Sequence, residues 1–316
     1  MQVAARTGAA ALRQENYIPG FDWVRLFGSI LVVVSHCGFF DFFKSSYYSV
    51  YLLFNGIVPV FFLMAGYLIA ERLDDRGYVL GYLKKYALLY LGASMLRILP
   101  HAASGLFLRG DFSLRELLTV LALLPFKNVY VSAFWFLPAL IYGVAVNALL
   151  RSRPGALNAV CVLCAAVMVA HALSGCLTVQ YPARNIAKGI VYLRLGILRR
   201  ERRLPLWPVA AALAVLGPFE LLVRYLDLAV IALSLLTFEG VLRLKGGFLH
   251  PRHLQISIFS MLNYFLHPFW QVLLGYFTDL GKVPVLLIIL AVNTLLTPLL
   301  CACIQKTKQR KQDDGL

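Results

Sequence analysis

Ten residues separate Arg25 from His36 within one apolar stretch, 22–40. A guanidinium at the centre of a bilayer costs about 2.5–3.5 kcal/mol, so charged and titratable residues in such stretches are rare and commonly functional. Eleven helical steps of about 1.5 Å separate the two side chains by about 16 Å along the axis. Each step rotates the chain by about 100°, so after eleven steps the side chain points to nearly the same face. One helix face is therefore expected to carry a fixed cation near one end and a proton acceptor deeper in.

These residues also have structural explanations, which the sequence leaves open. Asp22 precedes Arg25 by one helical turn and can pair with it. The pair could serve only as an interfacial anchor, with the Arg25 side chain extending toward water. That explanation does not cover His36, which lies deeper, although a single histidine in a helix is more often a packing residue than a functional one.

The composition indicates a polytopic membrane protein. The 316 residues are 60% hydrophobic and 14% charged, with a mean hydropathy of +0.75, whereas soluble domains average about 45–50% apolar and about 25% charged. Apolar runs of about 20 residues without alternation predict an all-α helical bundle rather than a barrel. The net charge of +15 does not favour nucleic-acid binding, because the basic residues lie in short clusters between apolar runs.

Ten transmembrane helices are predicted, with both termini cytoplasmic. The stretch 113–126 has an apolar core of only about ten residues, which is too short to span comfortably. If it spanned, the basic cluster 199–203 would face outward, against the positive-inside rule. The predicted spans are about 22–41, 50–70, 79–99, 133–150, 156–174, 186–199, 206–223, 226–243, 256–277 and 283–304.

These spans form one predicted membrane domain, 22–304, which includes an extracytoplasmic loop at about 100–132. A cytoplasmic segment, 1–21, precedes it, and a basic cytoplasmic tail, 305–316, follows it. No cleavable signal sequence is expected, because about twenty polar or mixed residues precede the first apolar run. We find no internal repeat of the kind that many transporters contain.

Further polar and aromatic residues lie in other predicted spans. Lys84 and Lys85 begin the third span, where orienting charge alone would explain them. Trp135 belongs to an aromatic group at the start of the fourth span, as in an interfacial belt. His267 precedes a proline in the ninth span and could line a site or simply pack there.

Arg194 is a second cation inside a predicted span, the sixth. It could line a cavity or pair with a carboxylate such as Glu220 or Glu239. Glu239 is, however, expected to pair with Arg243, four residues further along the same helix.

The remaining histidines and the cysteines give no metal-ligand spacing, so no metal site is predicted. Cys161 and Cys164 form a C-x-x-C pair without a second pair, and they are interpreted as packing residues. Four histidines are interpreted as loop or interface residues: His101, His171, His250 and His253.

In order and spacing, these elements resemble the acyltransferase-3 family of integral membrane acyltransferases, over about 17–300. That family has an arginine ten residues before a histidine in its first span, a phenylalanine pair before Ser-Gly in its second, and a basic start to its third. A Trp-Phe-Leu element and a tyrosine–leucine–isoleucine–histidine–proline element follow, within ten spans. The matching residues are Asp22, Arg25 and His36; Phe61, Phe62 and Gly66; Lys84 and Lys85; Trp135, Phe136 and Leu137; and 264–268.

Two departures from the family pattern bear on function. Ala65 stands where the family has serine, which removes a hydroxyl. The segment 87–90 reads Ala-Leu-Leu-Tyr where the family usually has further arginines. The second departure weakens the transfer of a phosphate-binding role to the third span.

The resemblance implies transfer of an acyl group, most often acetyl, to a hydroxyl of a cell-surface glycan or lipid-linked sugar in a bacterial inner membrane. Acyl-CoA would be the donor substrate, and no bound cofactor is implied. His36 would be the general base, with an acyl-histidine intermediate as the other possibility. Arg25 would position the donor, and the residues expected to line the substrate site are Asp22, Lys84, Lys85, Trp135, Arg194 and His267.

Two other classes remain alternatives. A transporter or flippase for a lipid-linked glycan would also combine ten spans with buried cations and histidines. A structural membrane subunit would not require His36. The sequence defines neither the acceptor, nor the acyl chain length, nor the oligomeric state.

Overall fold

A computed structural model describes residues 17–39, 48–104, 113–126, 132–173, 182–202, 207, 211, 228–244, 252–277 and 281–313. Within these ranges the regular structure is helical and contains no strand, which confirms the predicted all-α class. The ten α-helices of the described ranges are α1 (Pro19–Val34), α2 (Tyr48–Ile69), α3 (Arg76–Ser104), α4 (Leu114–Leu123), α5 (Phe136–Leu149), α6 (Pro154–Leu173), α7 (Pro182–Arg200), α8 (Leu228–Arg243), α9 (His253–Phe277) and α10 (Lys282–Asp313).

Three short helical turns adjoin these helices. A π-helical turn, Ser35–Phe39, continues α1, and 3-10 turns lie at Ala70–Arg72 and Ser132–Trp135. His36 belongs to the π turn. Single π turns that interrupt α-helices are uncommon and often occur at functional sites.

Within the described residues, two helical segments are long and apolar enough to cross a membrane, Pro19–Cys37 and Lys282–Thr307. Two further apolar helices are shorter, Phe136–Leu149 and Pro154–Ala170. The stretch 113–126 contains only the ten-residue helix α4. The predicted seventh span, 206–223, lies outside the described residues apart from Trp207 and Ala211.

The centre of the bundle is the crossing of α2 and α7. A Cβ atom added to Gly66 would collide with the carbonyl oxygen of Leu193, and one added to Gly196 would collide with that of Leu63. The two backbones therefore approach as closely as glycine permits, which is common where helices pack inside membranes. The large side chains Phe62, Leu63, Tyr192 and Leu193 are almost completely buried around this crossing.

Ion pairs gather the chain segments at one end of the bundle. Arg151, which follows α5, binds Asp74 at 2.7 Å and Glu201 at 2.9 Å. Arg200, the last residue of α7, pairs with Glu71. The C-terminal ends of α2, α5 and α7 therefore lie together.

The predicted pair between Glu239 and Arg243 is not the interaction that the structure shows for Glu239. Arg199 donates to both carboxylate oxygens of Glu239, from Nε and from Nη2. This fork geometry makes two charge-assisted hydrogen bonds. An i,i+4 ion pair on one exposed helix face is usually weaker. The C-terminal end of α8 thus joins that of α7.

Candidate functional site

Polar side chains line the contact between α1 and α9. Hydrogen bonds link Asp22 to His253, Asn263 to Ser29, and Gln271 to Cys37. The residue numbers rise together in both helices, so the two helices run parallel. We call the following residues the polar seam: Asp22, Arg25, Ser29, His36 and Cys37 from α1 and its π turn, and His253, Asn263, His267 and Gln271 from α9.

Two imidazoles are stacked near the π-turn end of the polar seam. The ring centroids of His36 and His267 lie 5.0 Å apart, and the ring planes are inclined by 29°. His36 is exposed, whereas His267 is completely buried. Of the two rings, that of His36 has the exposed surface, and the buried ring of His267 packs against it.

The hydrogen bonding of His267 determines which of its nitrogens carries the proton. Its Nδ1 lies within hydrogen-bonding distance of the backbone carbonyl of Asn263. A carbonyl only accepts, so Nδ1 is the donor and Nε2 of the neutral ring has a lone pair. Nε2 is buried and has no hydrogen-bond partner among the described residues. An unsatisfied buried acceptor of this kind costs about 1–3 kcal/mol.

A buried chain of amides fixes α9 beside the two imidazoles. Asn263 donates to the hydroxyl of Ser29 at 3.1 Å, and Asn293 donates to the side-chain oxygen of Asn263 at 2.9 Å. The indole of Trp270 donates to Asn293 at 3.2 Å. A buried amide without a hydrogen-bond partner destabilises the folded protein. These hydrogen bonds therefore fix the rotation of α9 relative to α1 and α10, and with it the position of the His267 ring.

A fully buried carboxylate occupies the other end of the polar seam. Asp22 accepts hydrogen bonds from Arg25 at 2.9 Å, from the hydroxyl of Tyr17 at 2.8 Å and from Nδ1 of His253 at 2.8 Å. Asp22 is 0% exposed, whereas the side chains of Arg25 and His253 are 24% and 46% exposed. The pairing of Asp22 with Arg25 is the one that their spacing predicted.

Tyr17 acts as a permanent donor in this group. Burial, together with the hydrogen bond to the Asp22 carboxylate, raises the pKa of Tyr17 to about 12. The phenol therefore keeps its proton throughout the physiological range, and the carboxylate has a neutral phenol donor beside Arg25 and His253.

His253 is one of the seam residues that sequence reasoning missed. It was expected to be a loop or interface residue, and the structure places it as the first residue of α9, in contact with Asp22. Its position repeats a spacing visible in the sequence: Asp22 and His253 are 231 positions apart, and so are His36 and His267 (267 − 36). Two parallel helices bring together residues with nearly equal separations, here 231 to 234 positions, so pairing His36 with His267 would have pointed to His253.

For three other predicted site residues, the described contacts include none with the polar seam. Lys84 and Lys85 are exposed on α3, which packs mainly against α5. The ammonium group of Lys85 lies 5.5 Å from the ring centroid of Tyr86. Half-buried Trp135 contacts Phe62, with their ring centroids 6.1 Å apart.

Arg194 is buried on α7, with 8% of its surface exposed. Its helix packs against α2, α5 and α6, whereas the polar seam belongs to α1 and α9. The structure therefore brings together Asp22, Arg25, His36 and His267 from the predicted set and leaves Arg194 in a different part of the bundle.

No protein-family model, curated protein or solved structure matches this chain. Function is therefore argued from the chemistry of the polar seam. Within the described residues, no group of three or more His, Cys, Asp or Glu side chains could hold a metal ion. The chemistry that the seam can supply is proton transfer at one end and binding of a charged group at the other.

Proposed function

We propose that the chain is a membrane O-acyltransferase that moves an acyl group, most often acetyl, from acyl-CoA to a hydroxyl of a cell-surface glycan or lipid-linked sugar. The observation that carries this proposal is the exposed imidazole of His36, stacked on buried His267. The guanidinium of Arg25 at the other end of the same seam supplies the second requirement, because the phosphates of the donor need positive partners.

In the proposed reaction His36 is the general base. It takes the proton of the acceptor hydroxyl while the oxygen attacks the thioester carbonyl. The C–S bond then breaks, and an ester remains on the acceptor. The CoA thiolate leaves and takes from His36 the proton that His36 received from the acceptor hydroxyl. The alternative is a nucleophilic His36 that first forms an acyl-imidazole. Rapid quenching of a single turnover with labelled acetyl-CoA would separate the two routes, because only the second labels the protein.

The proposed setting is a ten-span bundle in a bacterial inner membrane, with both termini cytoplasmic. The ion pair between Asp74 and Arg151 supports this topology. Asp74 precedes α3 and Arg151 follows α5, so the chain must return to the same side between them. Two spans achieve this, whereas a third span at 113–126 would put the partners on opposite sides.

The pair between Arg199 and Glu239 supports a further predicted span in the same way. These residues lie near the C-terminal ends of α7 and α8. For both ends to lie on one side, the chain must cross between α7 and α8, and 206–223 is the apolar segment available.

Outward-facing apolar side chains support lipid contact. On α10, four of them are 53–70% exposed: Val283, Leu287, Leu295 and Leu299. Contiguous apolar surface of this kind is unfavourable in water, whereas it is the expected outer surface of a membrane helix. Lipid acyl chains around α10 would remove the cost of exposing these side chains to water.

The direct test of the proposed reaction uses membrane vesicles and acetyl-CoA labelled in the acetyl group. Wild-type vesicles that contain the acceptor glycan should gain alkali-labile label, and His36→Gln vesicles at equal protein abundance should not. His171→Gln is the matched control, because it changes a histidine on α6, outside the polar seam. Equal labelling by wild type and His36→Gln would remove His36 from the mechanism. Absent labelling, together with loss of the surface glycan from a deletion strain, would favour the transporter or flippase alternative.

A further inference from the structure

We propose that Arg25 and His253 form the subsite that binds a phosphate group of the donor. The inference rests on the proposed function, because it takes acyl-CoA as the donor. It assigns a role to His253 and moves phosphate recognition from Lys84 and Lys85 to the α1–α9 seam.

The burial pattern around Asp22 determines what an incoming molecule meets. The carboxylate is 0% exposed, and its oxygens are occupied by donors from Tyr17, Arg25 and His253. The side chains of Arg25 and His253 are 24% and 46% exposed. The negative charge of Asp22 is therefore covered by protein, and the guanidinium of Arg25 and the imidazole of His253 form the accessible surface.

Arg25 retains donors for a ligand, and His253 presents its second ring nitrogen. Within the described residues, the guanidinium of Arg25 binds Asp22 through Nη1, which leaves most of its five N–H groups available. Nδ1 of His253 faces Asp22, so Nε2 lies on the opposite side of the ring. When it is protonated, the imidazole donates from Nε2 as well.

The charges of the surrounding groups favour an anion with more than one negative charge. Asp22 supplies one negative charge and Arg25 one positive charge, and His253 adds a second positive charge only when its imidazole carries both protons. Tyr17 stays neutral, and exposed Arg252 adds a further positive charge next to His253. Guanidinium and imidazolium groups that are already held in place by a carboxylate bind phosphate oxygens with little loss of side-chain freedom.

Two sources can supply such a phosphate, coenzyme A and an anionic lipid headgroup, and the experiment separates them. Purified full-length protein in phosphatidylcholine nanodiscs is titrated with coenzyme A and, separately, with pantetheine, which lacks the phosphates. Arg25→Gln and His253→Gln should each weaken coenzyme A binding by about tenfold or more and leave pantetheine binding unchanged. The matched control is Lys84→Gln/Lys85→Gln, which should bind coenzyme A like the wild type.

Each other outcome has a defined meaning. Coenzyme A binding by His253→Gln equal to that of the wild type would overturn the subsite and leave the proposed function intact. Wild-type protein that binds no coenzyme A would overturn the donor assignment and the proposed function with it. A second titration uses nanodiscs that also contain phosphatidylglycerol. If that lipid abolishes coenzyme A binding to the wild type, the subsite belongs to a headgroup, and the inference is wrong. Retained pantetheine binding shows that each variant is folded.

Discussion

His36 and His267 differ in what they can do, although their rings are in contact. His36 is exposed and can meet a substrate, while His267 is completely buried. The buried ring has one nitrogen at the Asn263 carbonyl and the other without a partner. A protein that needed only stability would fill this position with an apolar ring, because an unsatisfied buried acceptor is destabilising.

The first prediction at the residue scale concerns His267→Phe. Phenylalanine retains a ring behind His36, removes the unsatisfied Nε2 and also loses the hydrogen bond from Nδ1 to Asn263. These effects oppose each other, so the free energy of unfolding should change by no more than about 1 kcal/mol, in either direction. Acyl transfer should fall about tenfold or more, as expected where a site sacrifices stability for activity. Thermal unfolding and label transfer measure the two effects. Full activity in His267→Phe would reduce His267 to a packing residue.

The second prediction concerns the buried carboxylate. Asp22→Asn should lower the free energy of unfolding by about 1–3 kcal/mol, because the charge that holds Arg25 and His253 is lost inside the protein. Asp74→Asn removes a carboxylate whose side chain is 74% exposed, and it should cost less than about 1 kcal/mol. Denaturant unfolding of the two variants gives the comparison. Equal losses would mean that Asp22 behaves like a surface carboxylate.

At the element scale, the close crossing of α2 and α7 determines where the rest of the bundle lies. Gly66 and Gly196 each face a backbone carbonyl of the other helix. A methyl group at either position has no space unless the helices separate, and their separation would also displace the elements packed against them. The crossing therefore tolerates no added side-chain atom at Gly66 or Gly196 while the two helices stay in place.

Gly66→Ala should lower the free energy of unfolding by about 1–3 kcal/mol, the usual cost of overpacking. Gly92→Ala on α3 is the matched control, because a Cβ at Gly92 meets no atom within 4 Å. That control should be neutral or stabilising by up to about 1 kcal/mol, since alanine favours helix. Both variants are compared by thermal unfolding in the same detergent. If Gly66→Ala were as stable as Gly92→Ala, the crossing would be looser than described.

The sequence predicted elements better than it predicted contacts between them. The all-α class and the pair of Asp22 with Arg25 follow from local patterns, and the structure contains both. The partner of Glu239 is Arg199, which lies forty residues away on another helix. Local i,i+4 spacing favoured Arg243, because single-chain patterns cannot compare an intrahelical partner with an interhelical one.

The candidate site was likewise predicted where it depends on one helix and missed where it depends on contact between helices. The apolar context and spacing of Arg25 and His36 predicted one face of one helix. What completes that face comes from α9, through His253, Asn263 and His267. The contacts between α1 and α9 join residues more than 200 positions apart and depend on which helices are neighbours. Composition and periodicity do not indicate which helices are neighbours. The equal separations within the two helices were the one available signal.

For the whole molecule, the ion pairs predict which loops lie on the same side of the membrane. Asp74, Arg151 and Glu201 meet at one end of the bundle, which we propose is cytoplasmic. Gly281, just before α10, should lie on the other side. A membrane-impermeant maleimide applied to intact cells should label Gly281→Cys and leave Ser152→Cys at the level of the parent chain. Labelling of Ser152→Cys before cell lysis would contradict the proposed topology.

The whole account depends on one claim, that His36 carries out acyl transfer to a surface glycan. The most direct measurement is ester-linked acetate on the glycan by NMR, in a deletion strain carrying wild type, His36→Ala or no copy, at matched membrane abundance. The account predicts acetate with wild type and none with His36→Ala or without the gene. Equal acetate in the wild-type and His36→Ala strains would contradict the central claim.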